Sequence, residues 1–337
     1  MTNEDASPED RARMAEMISG YQRSQLVLVA TQLGLADLIA AEPKTLEELA
    51  DATRSNPESL RRFLRTLIGY GLFRQAEDGR YHMTPMAQPL REDAPGSLRP
   101  MAMVAAIDTY RSWGELLYCV QSGNDGFTKA YGLPAADYRT QHPESNRYFN
   151  AWMSVGARRR IQAFLDAYSF RDSGIVVDVG GGDGTLLLGI LARNPGLRGV
   201  LFDLPRAVAD FDVSTADPGA ASRLRIEAGS FFDGVPADGD YYVLSLILHN
   251  WPDADARRIL GRCRAAIKPD GRLLVLDQVV PDGAPSASMS DLNMLVNCGA
   301  LERTESEWRA LLASGGFDVV SIGKSPHYIE AARIDPD

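Results

Sequence analysis

Cysteine is scarce: Cys119, Cys263 and Cys298 are the only three in 337 residues, they are scattered, and none forms a CxxC pair. That excludes a disulfide framework and a cysteine zinc site, and it fits a reducing cytoplasm. Histidine is nearly as scarce, with His82, His142, His249 and His327 lacking any HExxH-like spacing, so no metal is expected. Basic residues are outnumbered, 35 against 45 acidic, which leaves a net charge of −10. A surface of that sign repels phosphate backbones, so nucleic acid is not an expected partner. No apolar run reaches the roughly 18 residues of a membrane span. The acidic start Met1-Thr2-Asn3-Glu4-Asp5 lacks the basic end and apolar stretch of a secretory signal, so no membrane partner is expected and a soluble cytoplasmic protein is.

What is present divides into two halves. A chain of 337 residues that is 45% hydrophobic has the length for about two domains, each with its own core. Up to about residue 101 apolar residues recur at helical spacing and β-branched runs are few. Residues 21–40 form one candidate helix with Leu26, Val29, Ala30, Leu33 and Leu38 on a face, weakened at Gly34. Thr45-Leu46-Glu47-Glu48 is a capping box, Asn56-Pro57 opens another helix, and Gly79-Arg80-Tyr81-His82-Met83-Thr84 reads as the return strand of a small hairpin. This is a winged-helix pattern, used elsewhere for DNA binding or for dimerisation, and the acidic balance favours dimerisation. Met14-Ala15-Glu16-Met17-Ile18 begins an amphipathic helix that packs either on its own domain or on a second subunit. Between about residues 100 and 168 the chain is helical and rich in aromatics, among them Tyr110, Trp113, Tyr118, Phe127, Tyr131, Tyr148, Phe149 and Trp152, suited to a ligand surface or to plain core packing.

After Ser173 the text changes to short apolar runs at residues 175–179, 199–202, 241–248, 272–276 and 318–322 with helical stretches between, the pattern of a doubly wound, mainly parallel sheet. Between the first run and its helix lies Asp178-Val179-Gly180-Gly181-Gly182-Asp183-Gly184-Thr185. Thr185 stands where a dinucleotide fingerprint needs its last glycine, and no Gly-Lys-Ser/Thr follows for a P-loop. Asp178 and Asp183 would repel a pyrophosphate and suit a cationic, hydroxyl-bearing ligand such as S-adenosylmethionine. Asp203, about 20 residues on, occupies the position of a ribose-binding acid, with a helix N-cap as its alternative role. His249 closes a strand-like run at the edge where parallel-sheet enzymes gather ligands. By itself a lone histidine is more often structural, and Trp251-Pro252-Asp253 after it reads as a helix start.

Taken together with Tyr148-Phe149-Asn150-Ala151-Trp152-Met153-Ser154, Phe202-Asp203-Leu204-Pro205, Gly229-Ser230-Phe231-Phe232, Leu248-His249-Asn250-Trp251-Pro252-Asp253 and Glu302-Arg303-Thr304, the chain resembles the small-molecule O-methyltransferases of the class I S-adenosylmethionine-dependent fold, the family of caffeate, acetylserotonin and bacterial antibiotic methyltransferases. The resemblance covers nearly the whole length. It implies an α/β fold, a Rossmann-like class I methyltransferase domain over residues 165–337 with an N-terminal all-helical, winged-helix dimerisation domain over 1–100 and a helical connection at 101–164. It implies that Gly180 and Gly182 face the methionine end of S-adenosylmethionine, that Asp203 holds its ribose and that Ser230 with Phe231 borders adenine, with Asp178, Leu204, Gly229 and Ser245 also among the cofactor-binding residues. Two positions depart from the common pattern, Ser230 where Asp is frequent and Ser245 where plant members carry Lys. It makes His249 the general base, with Asp277 and Glu302 beside it. Asp277 stands where Glu is usual and is one methylene shorter, so Glu302 is expected to hold the imidazole more firmly. Trp113, Phe149, Trp152, Met153, Asn250 and Asn293 are the expected substrate-binding residues, since flat acceptors favour aromatic and methionine walls.

The resemblance thus implies methyl transfer to an aromatic hydroxyl of a small secondary metabolite, a polyketide, phenazine or similar phenol, by a homodimer that releases S-adenosylhomocysteine. The same fold also hosts non-methylating enzymes that perform hydroxylation, decarboxylation or pericyclic chemistry. A metabolite-sensing regulator acting through the winged helix is a third possibility, disfavoured by charge.

Overall fold

A computed structural model describes residues 6–209, 211, 216–281, 288–324 and 327–334, so the acidic start at residues 1–5 lies outside the described residues. The chain forms two compact units that interleave in sequence, Met1–Arg111 with Ala136–Val155, and Ser112–Ala135 with Gly156–Asp337. The aromatic stretch expected to act as one connection is thus shared out between them.

The first unit is built from well-capped short helices. Ser7 caps Pro8–Ile18 and Thr45 caps Leu46–Thr53, each in a reciprocal box with an acid at the third helical position, and Asn56 caps Pro57–Gly69 with proline at its first position. On that last helix Leu60, Leu64 and Leu67 recur at i, i+4 and i+7 and are all buried. They pack with Leu35, Leu49, Phe73 and Tyr81 into one core, each buried leucine contributing about 1.5–3 kcal/mol. The expected single helix over residues 21–40 is two helices, Gly20–Gln32 and Leu35–Ala41, because Gly34 turns left-handed at φ +64 between them. Strands β1 (Phe73–Gln75) and β2 (Tyr81–Met83) pair antiparallel as the expected hairpin. The Pro8–Ile18 helix buries none of its residues, and Met14, Met17, Ile18 and the following Tyr21 are exposed.

The second unit is a seven-stranded sheet, ordered β10-β11-β7-β6-β3-β4-β5. Its strands are β3 (Gly174–Val179), β4 (Leu197–Asp203), β5 (Leu224–Ala228), β6 (Gly239–Ser245), β7 (Ile267–Leu276), β10 (Phe317–Lys324) and β11 (His327–Arg333). Two short strands, β8 (Val279–Val280) and β9 (Arg303–Thr304), pair separately. Strands β3 to β7 run parallel, and β11 inserts antiparallel between β7 and β10.

Side chains alternate between the two covered faces with the period of two that a strand imposes. Val177, Val179, Tyr242, Leu244, Leu273 and Val275 pack on one side with Trp308. Val176, Tyr241, Val243, Leu274 and Leu276 pack on the other with Phe164 and Ile190. The chain moves outward from β3 through β4 and β5, then returns to β6 on the far side of β3. That reversal opens a crevice at the carboxyl ends of β3 and β6, the place where such sheets bind ligands. Of the aromatics at 100–168, Phe127, Tyr148 and Phe164 are buried, as core packing requires. Among the described residues no single helix is long and apolar enough to cross a bilayer.

Candidate active site

Beyond Val179 the chain turns from β3 into the Thr185–Arg193 helix on glycines. Gly180, Gly182 and Gly184 take φ of +73, +54 and +69, the left-handed region that strains any side chain. A Cβ on Gly180 would lie 2.5 Å from Ile247 Cδ1 and one on Gly181 would lie 2.7 Å from Asp178 Cγ, whereas one on Gly182 would meet nothing within 4 Å. The loop therefore packs its back against the sheet and leaves Gly182 facing open space. Its backbone is tied to the next strand by Gly180 N, which donates to Phe202 O at 2.8 Å.

Asp203, at the end of β4, accepts the N–H of Gly182 on Oδ2 at 2.9 Å and that of Leu204 on Oδ1 at 2.6 Å. The Pro205–Val208 helix has no side-chain cap, so Asp203 is not serving as its N-cap. A carboxylate accepts up to about four hydrogen bonds, and capacity remains here for hydroxyl donors. Asp178 is 1% exposed and neither of its oxygens has a hydrogen-bond partner. Burial, then the negative charges of Asp203 and Asp183, push its carboxyl up to about 7. An orphaned carboxyl behind a glycine cradle is completed by a cation, so these residues fit the sulfonium and ammonium groups of S-adenosylmethionine.

The remaining cofactor candidates sit at neighbouring strand ends. Gly229 follows β5 and donates its N–H to Asp203 O at 2.9 Å, and a Cβ there would lie 2.6 Å from Phe202 Cε2. Phe231 and Phe232 both meet Trp251 edge-on, and Phe231 Cε1 lies 3.7 Å from where a Gly180 Cβ would be. Ser230 Oγ accepts from Phe232 N at 3.3 Å, and Ser245 is the last residue of β6.

His249 lies on a three-residue 3-10 turn, Leu248–Asn250, entered through Leu246 at φ +55, a strained conformation for leucine. Its imidazole is mostly buried, and Nδ1 lies 3.3 Å from Glu302 Oε1. Asp277 lies beside His249 but bonds its main chain: its Oδ2 accepts the backbone N–H of His249 at 3.1 Å, and its Oδ1 has no partner. The shorter side chain supports the turn, and Glu302 holds the ring. Burial alone would lower the imidazole pKa, but the Glu302 bond and the charges of Asp277 and Glu302 outweigh it and raise the value above 6.5, against a smaller opposing effect of Arg160. Burial likewise raises Asp277, offset in part by His249.

Of the expected substrate residues, Trp113 and Asn293 meet in the second unit, where Nε1 donates to Oδ1 at 3.2 Å. Asn297 Nδ2 donates to the same oxygen at 2.8 Å, which fixes the Asn293 amide. Phe149 and Trp152 meet edge-on in the first unit, against Met103, Val104 and Tyr148, with Met153 following them on the Pro143–Ala167 helix. Asn250 is exposed and spends its amide N–H on Leu246 O at 2.8 Å, closing the turn.

Sequence reasoning passed over three groups here. Asp291 Oδ1 accepts Glu302 N at 2.9 Å, Ser290 Oγ lies 3.4 Å from Glu302 Oε1, and the Arg160 cation acts on Asp277, Glu302 and His249. None has a motif of its own to announce it. Among the described residues no group of three or more His, Cys, Asp or Glu is placed to hold a metal ion.

Residues 113–318 match the model of the O-methyltransferase domain, and residues 15–93 match that of the O-methyltransferase dimerisation domain. A phenazine O-methyltransferase of Lysobacter antibioticus is 40% identical over 306 residues, covering 90% of each chain. A phenazine-1-carboxylate N-methyltransferase of Pseudomonas aeruginosa is 33% identical over 95% of this chain and 96% of its own. An O-methyltransferase from neocarzinostatin biosynthesis, solved with S-adenosylmethionine and 2-hydroxy-5-methyl naphthoic acid, superposes with a TM-score of 0.83 at 31% identity, covering 93% of this chain and 96% of that one. With both family domains matched in order and relatives aligned over nearly its whole length, the chain belongs to the O-methyltransferase family, the S-adenosylmethionine-dependent methyltransferases with an N-terminal dimerisation domain.

Proposed function

We propose that this enzyme methylates the hydroxyl of a small aromatic secondary metabolite, a phenazine, polyketide or similar phenol, with His249 as general base. The observation that carries the reading is the His249–Glu302 pair, 3.3 Å apart, at the strand edge that also bears the glycine loop. S-adenosylmethionine, when bound, supplies an electrophilic methyl group on a positively charged sulfur. Asp178, Gly180 and Gly182 hold its methionine end, Asp203 and Leu204 its ribose, Gly229, Ser230 and Phe231 its adenine, and Ser245 borders it.

A phenol with a pKa near 10 is mostly protonated at neutral pH, and an oxygen that keeps its proton is a poor nucleophile. Neutral His249 accepts that proton, and Glu302 then stabilises the imidazolium while fixing its tautomer. Such help is worth about 10²–10⁴-fold, and alignment of the acceptor contributes further. An aromatic acceptor is in keeping with the phenazine and naphthoate relatives. A homodimer through the N-terminal unit goes with the matched dimerisation domain, and Met14, Met17, Ile18 and Tyr21 offer it apolar surface. The net charge argues against a nucleic-acid partner, and the scarcity of cysteine is in keeping with the cytoplasm.

Incubation with S-adenosylmethionine and a panel of hydroxylated aromatics should give an acceptor heavier by one methylene together with S-adenosylhomocysteine. Tight cofactor binding with neither change, across the panel, would transfer the chain to the non-methylating enzymes of this fold. Asp203→Ala should weaken cofactor binding by roughly 10–100-fold, the value of one or two hydrogen bonds to a charged group. Unaltered affinity in a calorimetric titration would discard the ribose assignment.

A further inference from the structure

We propose that Arg303 is a positioning residue for the proton acceptor, its guanidinium clamping the turn that carries His249 and keeping the imidazole in register with Glu302. The inference rests on the reading of His249 as the base. Arg303 is 1% exposed. Its Nη1 donates to Leu248 O at 3.0 Å, its Nη2 to Trp251 O at 2.9 Å, and its Nε and Nη2 to Asp253 Oδ1 at 3.1 and 2.8 Å. The guanidinium carbon lies 5.1 Å from the centre of the Trp308 ring.

The carbonyls it takes flank His249 on either side. His249's own carbonyl accepts Leu301 N at 3.2 Å, and its ring meets Glu302. The consecutive residues 301, 302 and 303 thus hold one short turn by a backbone bond, a side-chain bond to the imidazole and a guanidinium fork.

The turn has reason to need such a clamp. Its entry at Leu246 is strained, and a conformation of that kind persists only where its surroundings over-determine it. A buried guanidinium is costly to desolvate, and an apolar side chain would pack beside Trp308 without that cost. What the fork adds is direction: planar, with several donors in fixed geometry, it binds two carbonyls and a carboxylate together, which a lysine ammonium does not. Because Arg303 is bonded to Glu302 through the chain, fixing the fork on the turn also fixes the carboxylate opposite Nδ1. The charged groups acting on His249 are Glu302, Asp277 and Arg160, while Asp291 is engaged by Glu302 N.

The test uses the full chain with Arg303→Gln, Arg303→Lys and Asp253→Ala, the last removing a carboxylate at the exposed edge of the fork and sparing both carbonyl bonds. Three quantities are read: the titration of His249 by NMR, kcat against pH, and affinity for S-adenosylhomocysteine. Arg303→Gln should lower the His249 pKa as the Glu302 bond loosens, carry the acid limb of kcat down with it, reduce kcat about 10–100-fold as supporting residues of a site do, and leave cofactor affinity unchanged. Arg303→Lys should fail to restore the limb, and Asp253→Ala should shift it part of the way. Variants that melt earlier but keep the wild-type His249 titration and pH limb would overturn the proposal. If the Arg303 variants do not fold, an unshifted limb in Asp253→Ala overturns it instead. Should His249→Ala keep the wild-type rate, the base assignment falls, whereas a moved His249 titration in Arg303→Gln still supports the clamp.

Discussion

Replacing Asp178 with asparagine is expected to stabilise the unliganded protein at pH 8 while weakening its hold on the cofactor. A carboxyl held near 7 in the folded chain, against 3.8 for a free one, favours the protonated folded state. Stability from this group is therefore greatest below pH 4, declines as pH rises toward 7, and is lower above that by on the order of 4 kcal/mol. Asparagine carries no such charge, so the stability difference between variant and wild type should be small at pH 4 and grow to a plateau above pH 7. The gain will fall short of the full figure, because a buried amide also lacks partners. The same charge attracts a cationic ligand, so cofactor affinity in the wild type should rise with pH through 7 and lose that slope in the variant. Thermal midpoints and calorimetric titrations at several pH values read both effects. A variant less stable than wild type at pH 8, or one that keeps the pH-dependent affinity, would contradict the assignment of Asp178.

Removing the imidazole has the other large effect. His249→Ala should lower kcat by about 10²–10⁴-fold and leave cofactor affinity near wild type, since His249 is not among the groups assigned to the cofactor. Because the Glu302 bond and the charges of Asp277 and Glu302 raise the imidazole pKa above 6.5 despite burial, the base is neutral only at higher pH. Wild-type kcat should therefore fall as pH drops through that raised value, and the alanine variant should be flat over the same range. Glu302→Gln removes one of the two acids that oppose the effect of burial, so its limb should move to lower pH. A limb that stays in place in His249→Ala would assign it to another group.

Much of the catalytic unit was legible because its signals are local. The glycine loop is a run of positions whose backbone demands glycine, as Gly180 with φ +73 and Ile247 against its back shows. Capping boxes at Thr45 and the proline after Asn56 announce their helices without tertiary help. Two strands of the seven-stranded sheet carry no such signal. β5 exposes Arg225, Ile226 and Ala228 at the sheet edge and so lacks an apolar run, and β11 buries only Ile329 and Ala331 of its seven residues. The partner that Asp277 takes was out of reach for a different reason: Oδ2 accepts a backbone N–H 28 positions earlier, and nothing about a backbone amide is written in residue type. Arg303 reads as an ordinary charge beside Thr304 until folding brings Leu248, Trp251 and Asp253 around it. Phe149 and Trp152 fall in one unit and Trp113 and Asn293 in the other, a division that helical spacing alone does not reveal.

The most direct measurement is of the atom that receives the methyl group. Relatives of this chain include both O- and N-methyltransferases. S-adenosylmethionine carrying an isotope-labelled methyl, turned over once by the wild-type protein with an amino-hydroxy aromatic acid, places the label in a product whose NMR spectrum distinguishes methoxy from N-methyl and C-methyl. The expected product carries the label on the ring oxygen, formed at a rate that falls with the protonation of His249. A label found on nitrogen or carbon, or one that never leaves the cofactor, would contradict an enzyme built to take the proton from a phenol.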